Sequence, residues 1–547
     1  MSARTGAEEI VATLERLGVE VVFALPGVHN LPLFRAIGSS SIRLVGVRHE
    51  QTCVYAADGY ARATGRLGVA MVTSGPGAAN TLAATGEAFT SSSPVLVIAS
   101  DISTALRRPG VYRGALHEIP DQAALFEPVT KAAEKVAAGA ALGEAVERAA
   151  RVALAPSSGP VYLGVPTDLL AGPAAGDPGA TIPTDSTSQP RPAGDDLDAA
   201  LELIAGAERI LIWAGGGALR GGAGDAVGEL AERLAAPVVT TYLAKGILPP
   251  DHPCLLPATA HLPEVGARWD DADLVLAIGT DFDGTMTQNW ALPKPKHLLA
   301  VNVDRADAAK SYPPDLTLVG EAEPIVAALA AQVPARPGLD ALRAEIADIE
   351  ERLRARLLAE DPEAVGFLDA MTRVAGEADL VVDMCVPGYW LAALHPVSRP
   401  RTFSVPFGWG TLGFAFPASL GVAATGRRAL CVTGDGGFLF GCGELATIAQ
   451  EDLPVTIMVV DDGGYGMLRF DQEHAGEPTF GVDLHTPDFV ALAQSFGVEA
   501  HSTPGFGADF EATLRECLGH PGPNLLVTEA KLRPPLNTSP RWYRRSA

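Results

Sequence analysis

Two short turns rich in glycine and aspartate hold the residues best suited to chemistry. Gly434-Asp435-Gly436-Gly437 follows the apolar run Ala429-Leu430-Cys431-Val432-Thr433, and Asp461-Asp462-Gly463-Gly464-Tyr465-Gly466 follows Val455-Thr456-Ile457-Met458-Val459-Val460. Carboxylates on turns at one edge of adjacent strands can share a hard cation, which prefers oxygen ligands. The glycines beside them let backbone N–H groups approach an anion. Either turn alone would be ordinary, because Asp-Gly is common in tight turns. Two of them, each after a strong strand and with Asp435 and Asp462 27 positions apart, read as a site for a diphosphate and its metal.

A second group lies near the other end of the chain, where Arg48-His49-Glu50 precedes Ala56-Ala57-Asp58-Gly59-Tyr60-Ala61-Arg62. A carboxyl in the first turn of a helix is ordinarily favoured by the helix dipole alone. Glycine-rich turns follow at Ser74-Gly75-Pro76-Gly77-Ala78-Ala79-Asn80 and, far downstream, at Gly410-Thr411-Leu412-Gly413-Phe414-Ala415-Phe416-Pro417-Ala418.

Positioning these turns requires parallel sheets with crossover helices. Apolar runs such as Val21-Val22-Phe23, Gly68-Val69-Ala70-Met71-Val72 and Val95-Leu96-Val97-Ile98 alternate with helical spacing, which is the βα pattern. Arg209-Ile210-Leu211-Ile212-Trp213, Asp273-Leu274-Val275-Leu276-Ala277-Ile278-Gly279 and Leu298-Leu299-Ala300-Val301-Asn302-Val303-Asp304 repeat it in the middle of the chain. The reading is α/β, with three doubly wound parallel-sheet domains over 1–170, 196–335 and 361–547. A Pro-, Gly- and Ser-rich linker is expected over 171–195 and a charged helical connector over 336–360. A helix over 444–451, stopped by Pro454, separates the two Asp turns.

Composition narrows the partners. At 547 residues the chain exceeds what one core usually organises. With 47% hydrophobic and 19% charged residues it should bury large cores. A formal charge of −24 argues against a nucleic-acid partner, whose phosphates are met by Lys and Arg. No stretch is long and apolar enough to span a bilayer, so no membrane partner is expected. The N-terminus has helical spacing with early acidic residues, unlike a signal peptide. Six scattered cysteines without paired ligand spacing read as buried free thiols in the cytoplasm.

Together these motifs resemble the thiamin diphosphate enzymes of the acetolactate synthase and 2-oxo acid decarboxylase superfamily, over nearly the whole chain. The family signature is Gly-Asp-Gly, some two dozen residues, then Asn-Asn; here Asp461-Asp462 stands in place of the Asn pair. The resemblance implies pyrimidine-binding, central and diphosphate-binding domains in that order. It implies Mg²⁺ on Asp435, the side chain of Asp462 and the backbone carbonyl of Gly464. The carboxylate at 462 adds negative charge beside an anionic cofactor but keeps an oxygen ligand. Glu50 matches the Glu that bonds N1′ of the aminopyrimidine and drives proton removal from thiazolium C2. Gly75 and Asn80 fall in the pyrimidine-side turn, and Gly410 and Leu412 in the segment whose large apolar residue bends the cofactor. Val386 and Gly388 are implied near the diphosphate, with Gly434, Gly436, Gly437, Tyr465 and Gly466. The family builds its sites from two chains, which implies a homodimer or homotetramer.

Substrate choice is read from weaker signals. Val28 stands where some decarboxylases carry an Asp or Ser, and His29 follows in a Pro-Gly-small-His order similar to that of benzaldehyde lyase. Leu116-His117-Glu118-Ile119-Pro120-Asp121-Gln122 lies where acetolactate synthases show Phe-Gln-Glu, so His117 replaces an active-site Gln. Both histidines are candidate proton carriers, though a lone His is also at home in a turn. FAD is weighed against, because Asp281-Phe282-Asp283-Gly284 and Ala258-Thr259-Ala260-His261 differ from flavin-contacting segments and Gly215-Gly216-Gly217 alone is a weak signal. The expected reaction is decarboxylation of a 2-oxo acid with ligation to an aldehyde or second 2-oxo acid. Simple decarboxylation and a benzaldehyde lyase-like ligation stand as alternatives, and loss of the Glu would mark a non-catalytic relative. A nicotinamide or flavin oxidoreductase is disfavoured, since no strand runs into a full Gly-x-Gly-x-x-Gly fingerprint with an acidic partner.

Overall fold

The computed structural model describes residues 4–174 and 194–535; 175–193, most of the expected linker, lies outside the described residues. The first sheet holds β1 (Val21–Ala24), β2 (Arg43–Gly46), β3 (Gly68–Val72), β4 (Val95–Asp101), β5 (Ala132–Lys135) and β6 (Val161–Pro166), in spatial order 2-1-3-4-6-5. The second holds β7 (Ile210–Ala214), β8 (Val238–Thr240), β9 (Leu274–Ile278), β10 (His297–Asn302) and β11 (Leu316–Val319), ordered 11-10-9-7-8. The third holds β12 (Asp379–Val382), β13 (Phe403–Ser404), β14 (Ala429–Gly434), β15 (Val455–Asp461), β16 (Glu499–Thr503) and β17 (Asn524–Glu529), ordered 13-12-14-15-17-16. Counted from its own first strand, the third sheet repeats the order of the first.

Strands pair in parallel in all three sheets, so this is the expected trio of doubly wound domains. Helices cover both faces, and β3, β4, β6, β7 and β9 are buried along their whole length. Strands of that kind read as unbroken apolar runs, which is why they stand out in the sequence. The connector is a helix, Leu339–Glu360. The helix between the Asp turns runs Leu445–Glu451, after a 3₁₀ turn over Cys442–Glu444 that takes the expected first residue. Among the described residues no helix is long and apolar enough to cross a membrane. The six cysteines are free; Cys385 and Cys442 are half-buried rather than buried.

Two helices at equivalent places in the first and third domains, Glu50–Thr64 and Ala415–Ala423, lock those domains together. Their backbones touch. A methyl group at Gly59 would overlap the Ala418 carbonyl, and one at Gly421 would overlap the Ala56 carbonyl. One hydrophobic cluster accordingly runs from Phe23, Val72 and Val97 of the first domain to Phe414, Leu420 and Val455 of the third. Beside it the buried Arg62 guanidinium bonds both Asp58 oxygens at 2.8 Å, Glu87 at 3.2 Å and the Val405 carbonyl at 2.8 Å. The second Glu87 oxygen accepts the Trp409 N–H at 3.0 Å and the Thr411 hydroxyl at 3.3 Å. A buried ion cluster is tolerable only when bonded in this way.

Gly421→Ala should therefore force the two helices apart and destabilise the protein by on the order of 3 kcal/mol. Denaturant unfolding of the variant checks this, and an unchanged midpoint would show the contact to be soft.

Candidate active site

In a sheet ordered 2-1-3, connections leave the first strand in opposite directions, and ligands sit in the crevice at the carboxyl ends of strands 1 and 3. In the first domain that crevice receives Leu25-Pro26-Gly27-Val28-His29 from β1 and Thr73-Ser74-Gly75 from β3. In the third it receives Asp383-Met384-Cys385 from β12 and Asp435 from β14. His29 and Gly75 of the first domain and Asp383 and Asp435 of the third thus follow topologically equivalent strands.

On the first-domain side, His29 and His117 come together through a residue that the sequence reading passed over as part of a turn. His29 Nδ1 is 2.6 Å from Ser74 Oγ, which is 3.4 Å from His117 Nδ1, and the two rings meet edge to face at 5.2 Å. Burial, then the neighbouring His117, holds the His29 imidazole below its usual pKa. It is therefore neutral near pH 7, able to accept a proton from one partner and return it to another. Gly75, at φ +64°, lets the turn press on His117, whose own φ is +67°. The buried Gln122 fixes that turn: its Oε1 accepts the Gly75 N–H at 2.7 Å, and its Nε2 donates to the Ser100 carbonyl and the Tyr162 hydroxyl. Glu50 is the first residue of its helix, after the extended N-cap His49, and its Oε2 accepts from Asn80 Nδ2 at 3.0 Å.

On the third-domain side, Asp435 opens a short helix, Asp435–Leu439, and Asp462 stands in the turn after β15. The Gly466 backbone lies so close to the Asp462 carboxyl that a side chain there would overlap it, and Tyr465 packs its ring on Gly436. Burial raises both carboxyls, Asp435 to about 7 and Asp462 to about 6, while the Gly464 N–H pulls each back down. Asp435 Oδ2 and Asp462 Oδ1 are buried without a hydrogen-bond partner among the described residues. A buried carboxylate oxygen left so is costly until a cation or donor meets it, so the pair fits a divalent cation. Among the described residues no cluster of three or more His, Cys, Asp or Glu side chains could hold a metal. Backbone and ligand oxygens would have to complete the shell. The charge that Asp462 adds relative to an Asn meets Arg469, whose Nη1 lies 3.8 Å from Oδ1.

Asp383 is the hub that the sequence reading missed. One oxygen accepts the Gly413 N–H and the Thr433 hydroxyl, both at 3.1 Å, and the other accepts the Met384 N–H at 2.9 Å. It thereby ties the Gly410–Leu412 segment to β14 and to the helix Val386–Leu394, where Val386 and Gly388 lie. Leu412 is half-buried on the turn before the helix Ala415–Ala423, open to contact on one side. Asp383's only sequence signal is its place at the end of a strand. Among the described residues no hydrogen bond or ion pair joins Glu50, Asn80, His29 or His117 to Asp435 or Asp462.

Three family models match in order. They are the N-terminal TPP binding domain of the thiamine pyrophosphate enzymes over residues 4–125, the central domain over 197–329 and the C-terminal TPP binding domain over 384–528. The chain belongs to this family of thiamine pyrophosphate-dependent enzymes. It is 35% identical to a protein of Pseudomonas aeruginosa described as a probable 2-ketoarginine decarboxylase, over 95% of this chain and 93% of that one. It is 33% identical to a probable acetolactate synthase large subunit of Methanocaldococcus jannaschii, over 90% and 87% of the two chains. It is 30% identical to the Escherichia coli acetolactate synthase isozyme 3 large subunit, over 91% and 89%.

A cation held by Asp435 and Asp462 would compete with protons on carboxyls that burial pushes up to about 7 and about 6. Binding of cofactor with Mg²⁺ should therefore tighten as pH rises from about 6 to about 8, with proton release. Calorimetry in buffers of different ionisation enthalpy reads both, and a dissociation constant flat over this range would refute the assignment.

Proposed function

We propose that the chain decarboxylates a 2-oxo acid, using thiamin diphosphate and Mg²⁺. The observation that supports this is a buried oxygen on each of Asp435 and Asp462 without a hydrogen-bond partner among the described residues, together with the Glu50–Asn80 bond and the His29–Ser74–His117 group in the first domain. The names of the relatives, acetolactate synthases and a 2-ketoarginine decarboxylase, support a 2-oxo acid substrate.

When bound, the cofactor supplies a carbon nucleophile and an electron sink beside the carbonyl. The chain's residues do the rest. Glu50 exchanges a proton with N1′ of the aminopyrimidine, and Asn80 holds its carboxyl in place. Asp435, Asp462 and the Gly464 carbonyl hold the cation. Gly434, Gly436 and Gly437, with Tyr465 and Gly466, shape the diphosphate cradle from the Asp turns; Val386 and Gly388 close it from the helix Val386–Leu394. Gly410 and Leu412 would support the rings from the third domain, and the Gly75 turn from the first. Gly215 and Gly217 pack on the backbone of Gly279, which accounts for those glycines without a nucleotide.

Two fates are open to the fragment left after CO₂ departs, a proton or a second carbonyl. Ligation is what the acetolactate synthase relatives suggest. The His29–Ser74–His117 group favours the proton, because two linked imidazoles can deliver one to carbon. A panel of 2-oxo acids incubated with loaded protein, with and without an aldehyde acceptor, separates these by mass spectrometry. Aldehyde and CO₂ are expected; a hydroxyketone or acetohydroxy acid would assign ligation, and CO₂ from no donor would sink the proposal.

We further propose a cytoplasmic homodimer or dimer of dimers, each site joining Glu50 of one chain to Asp435 of another. Glu50→Gln and Asp435→Ala should each be nearly inactive alone. Mixed and reassembled, they should regain roughly a quarter of wild-type activity, since random pairing leaves one site in four intact. No recovery would place both residues in one chain's site.

A further inference from the structure

Glu444 lies nine residues past Asp435 and is 1% exposed. Its carboxylate leaves its own domain's surface and meets the first domain just before Glu50. Oε1 accepts the N–H groups of Arg48 at 3.0 Å and of His49 at 3.1 Å; Oε2 accepts the Arg48 N–H at 3.1 Å and the Thr447 hydroxyl at 2.5 Å. The Thr52 hydroxyl, in the first turn of the Glu50 helix, is a further donor to it. Burial holds the carboxyl above its usual range. Among the described residues no Lys, Arg or His forms an ion pair with it. The nearby Arg48 guanidinium is turned to the Gly46 carbonyl at 2.9 Å and to Gln450 at 2.8 Å. Burial, then the charges of Glu444 and Glu50, pushes up the thiol of Cys53, one turn into the helix.

A buried carboxylate without a cation is costly unless donors meet its oxygens, as they do here. What it does is bind the two peptide N–H groups that set the direction in which the chain enters the helix at Glu50. Among the described residues the Glu50 side chain forms one hydrogen bond, to the exposed Asn80. We propose that Glu444 is a positioning residue for the reaction, fixing the backbone at Arg48 and His49 so that the Glu50 carboxyl points along the line that meets the cofactor. This rests on the reading of Glu50 as the group that bonds N1′. Because Glu444 follows the Asp435 helix by a few residues in the same chain, it also joins a segment that holds one cofactor to the activator of another.

The test compares Glu444→Ala, Glu444→Asp, Glu444→Gln and Glu50→Gln as full-length, cofactor-loaded proteins. Three quantities are read: the rate of C2–H exchange of bound thiamin diphosphate by NMR, the cofactor Kd, and the melting temperature. Glu444→Ala should slow exchange on the order of 10- to 100-fold while Kd changes little, since a small misplacement of a reacting group costs about that much. Glu444→Asp, whose carboxylate is withdrawn by one methylene and does not span both N–H groups, should do the same and serves if the Ala variant does not fold. Glu444→Gln keeps a carbonyl oxygen for the two N–H groups and an amide for Thr447, so it should recover most of the rate. Wild-type exchange in a folded Ala or Asp variant, with Glu50→Gln slow, would overturn the positioning role alone. Wild-type exchange in Glu50→Gln would overturn the reading of Glu50 and the proposal with it.

Discussion

The contact on which the rest of the site depends is the backbone-to-backbone packing of the helices Glu50–Thr64 and Ala415–Ala423. Glycines at 59 and 421 remove the side chains that would keep the helices apart, so each helix reaches the other's carbonyls. That closeness merges the cores of two domains whose sequences are separated by an entire third domain. Beside this contact stand Arg62, Asp58 and Glu87 of the first domain, and Glu87 holds the segment Trp409–Thr411 from the opposite domain. The two end domains share one strand order. Packing equivalent helices from each against one another places their two switch points in a fixed relation within the chain.

Carboxylates illustrate how environment assigns a role to one functional group. Glu444 and Glu87 are buried and saturated with N–H and hydroxyl donors or an arginine, so they act as struts between domains. Asp383 is likewise saturated, but within one domain, where it gathers three segments around a crevice. Asp435 and Asp462 each keep a buried oxygen without a hydrogen-bond partner among the described residues, which leaves room for a cation. Glu50 is half-buried and, among the described residues, one of its oxygens accepts from a single amide while the other accepts no hydrogen bond. The charge at 462 also has its own answer in Arg469, which explains how an aspartate is tolerated where the family pattern has asparagine.

The amino-acid sequence by itself determined the fold class, the parallel strands, the Asp turns and the start of the Glu50 helix. Each of these is encoded locally: a strand buried on both faces is an unbroken apolar run, and glycine and aspartate are the residues that tight turns favour. It also singled out His29 and His117, through their neighbours along the chain. Only the tertiary structure decided that a serine from a third strand, Ser74, links them, that Gln122 fixes the turn beside them, and that Asp383 and Glu444 hold the segments on which Asp435 and Glu50 sit. Glu444 and His49 are 395 positions apart. A hydrogen bond across such a gap leaves no periodicity and no turn signature behind. It exists because two helices come close enough for backbones to touch, and that closeness follows from packing rather than from any local pattern.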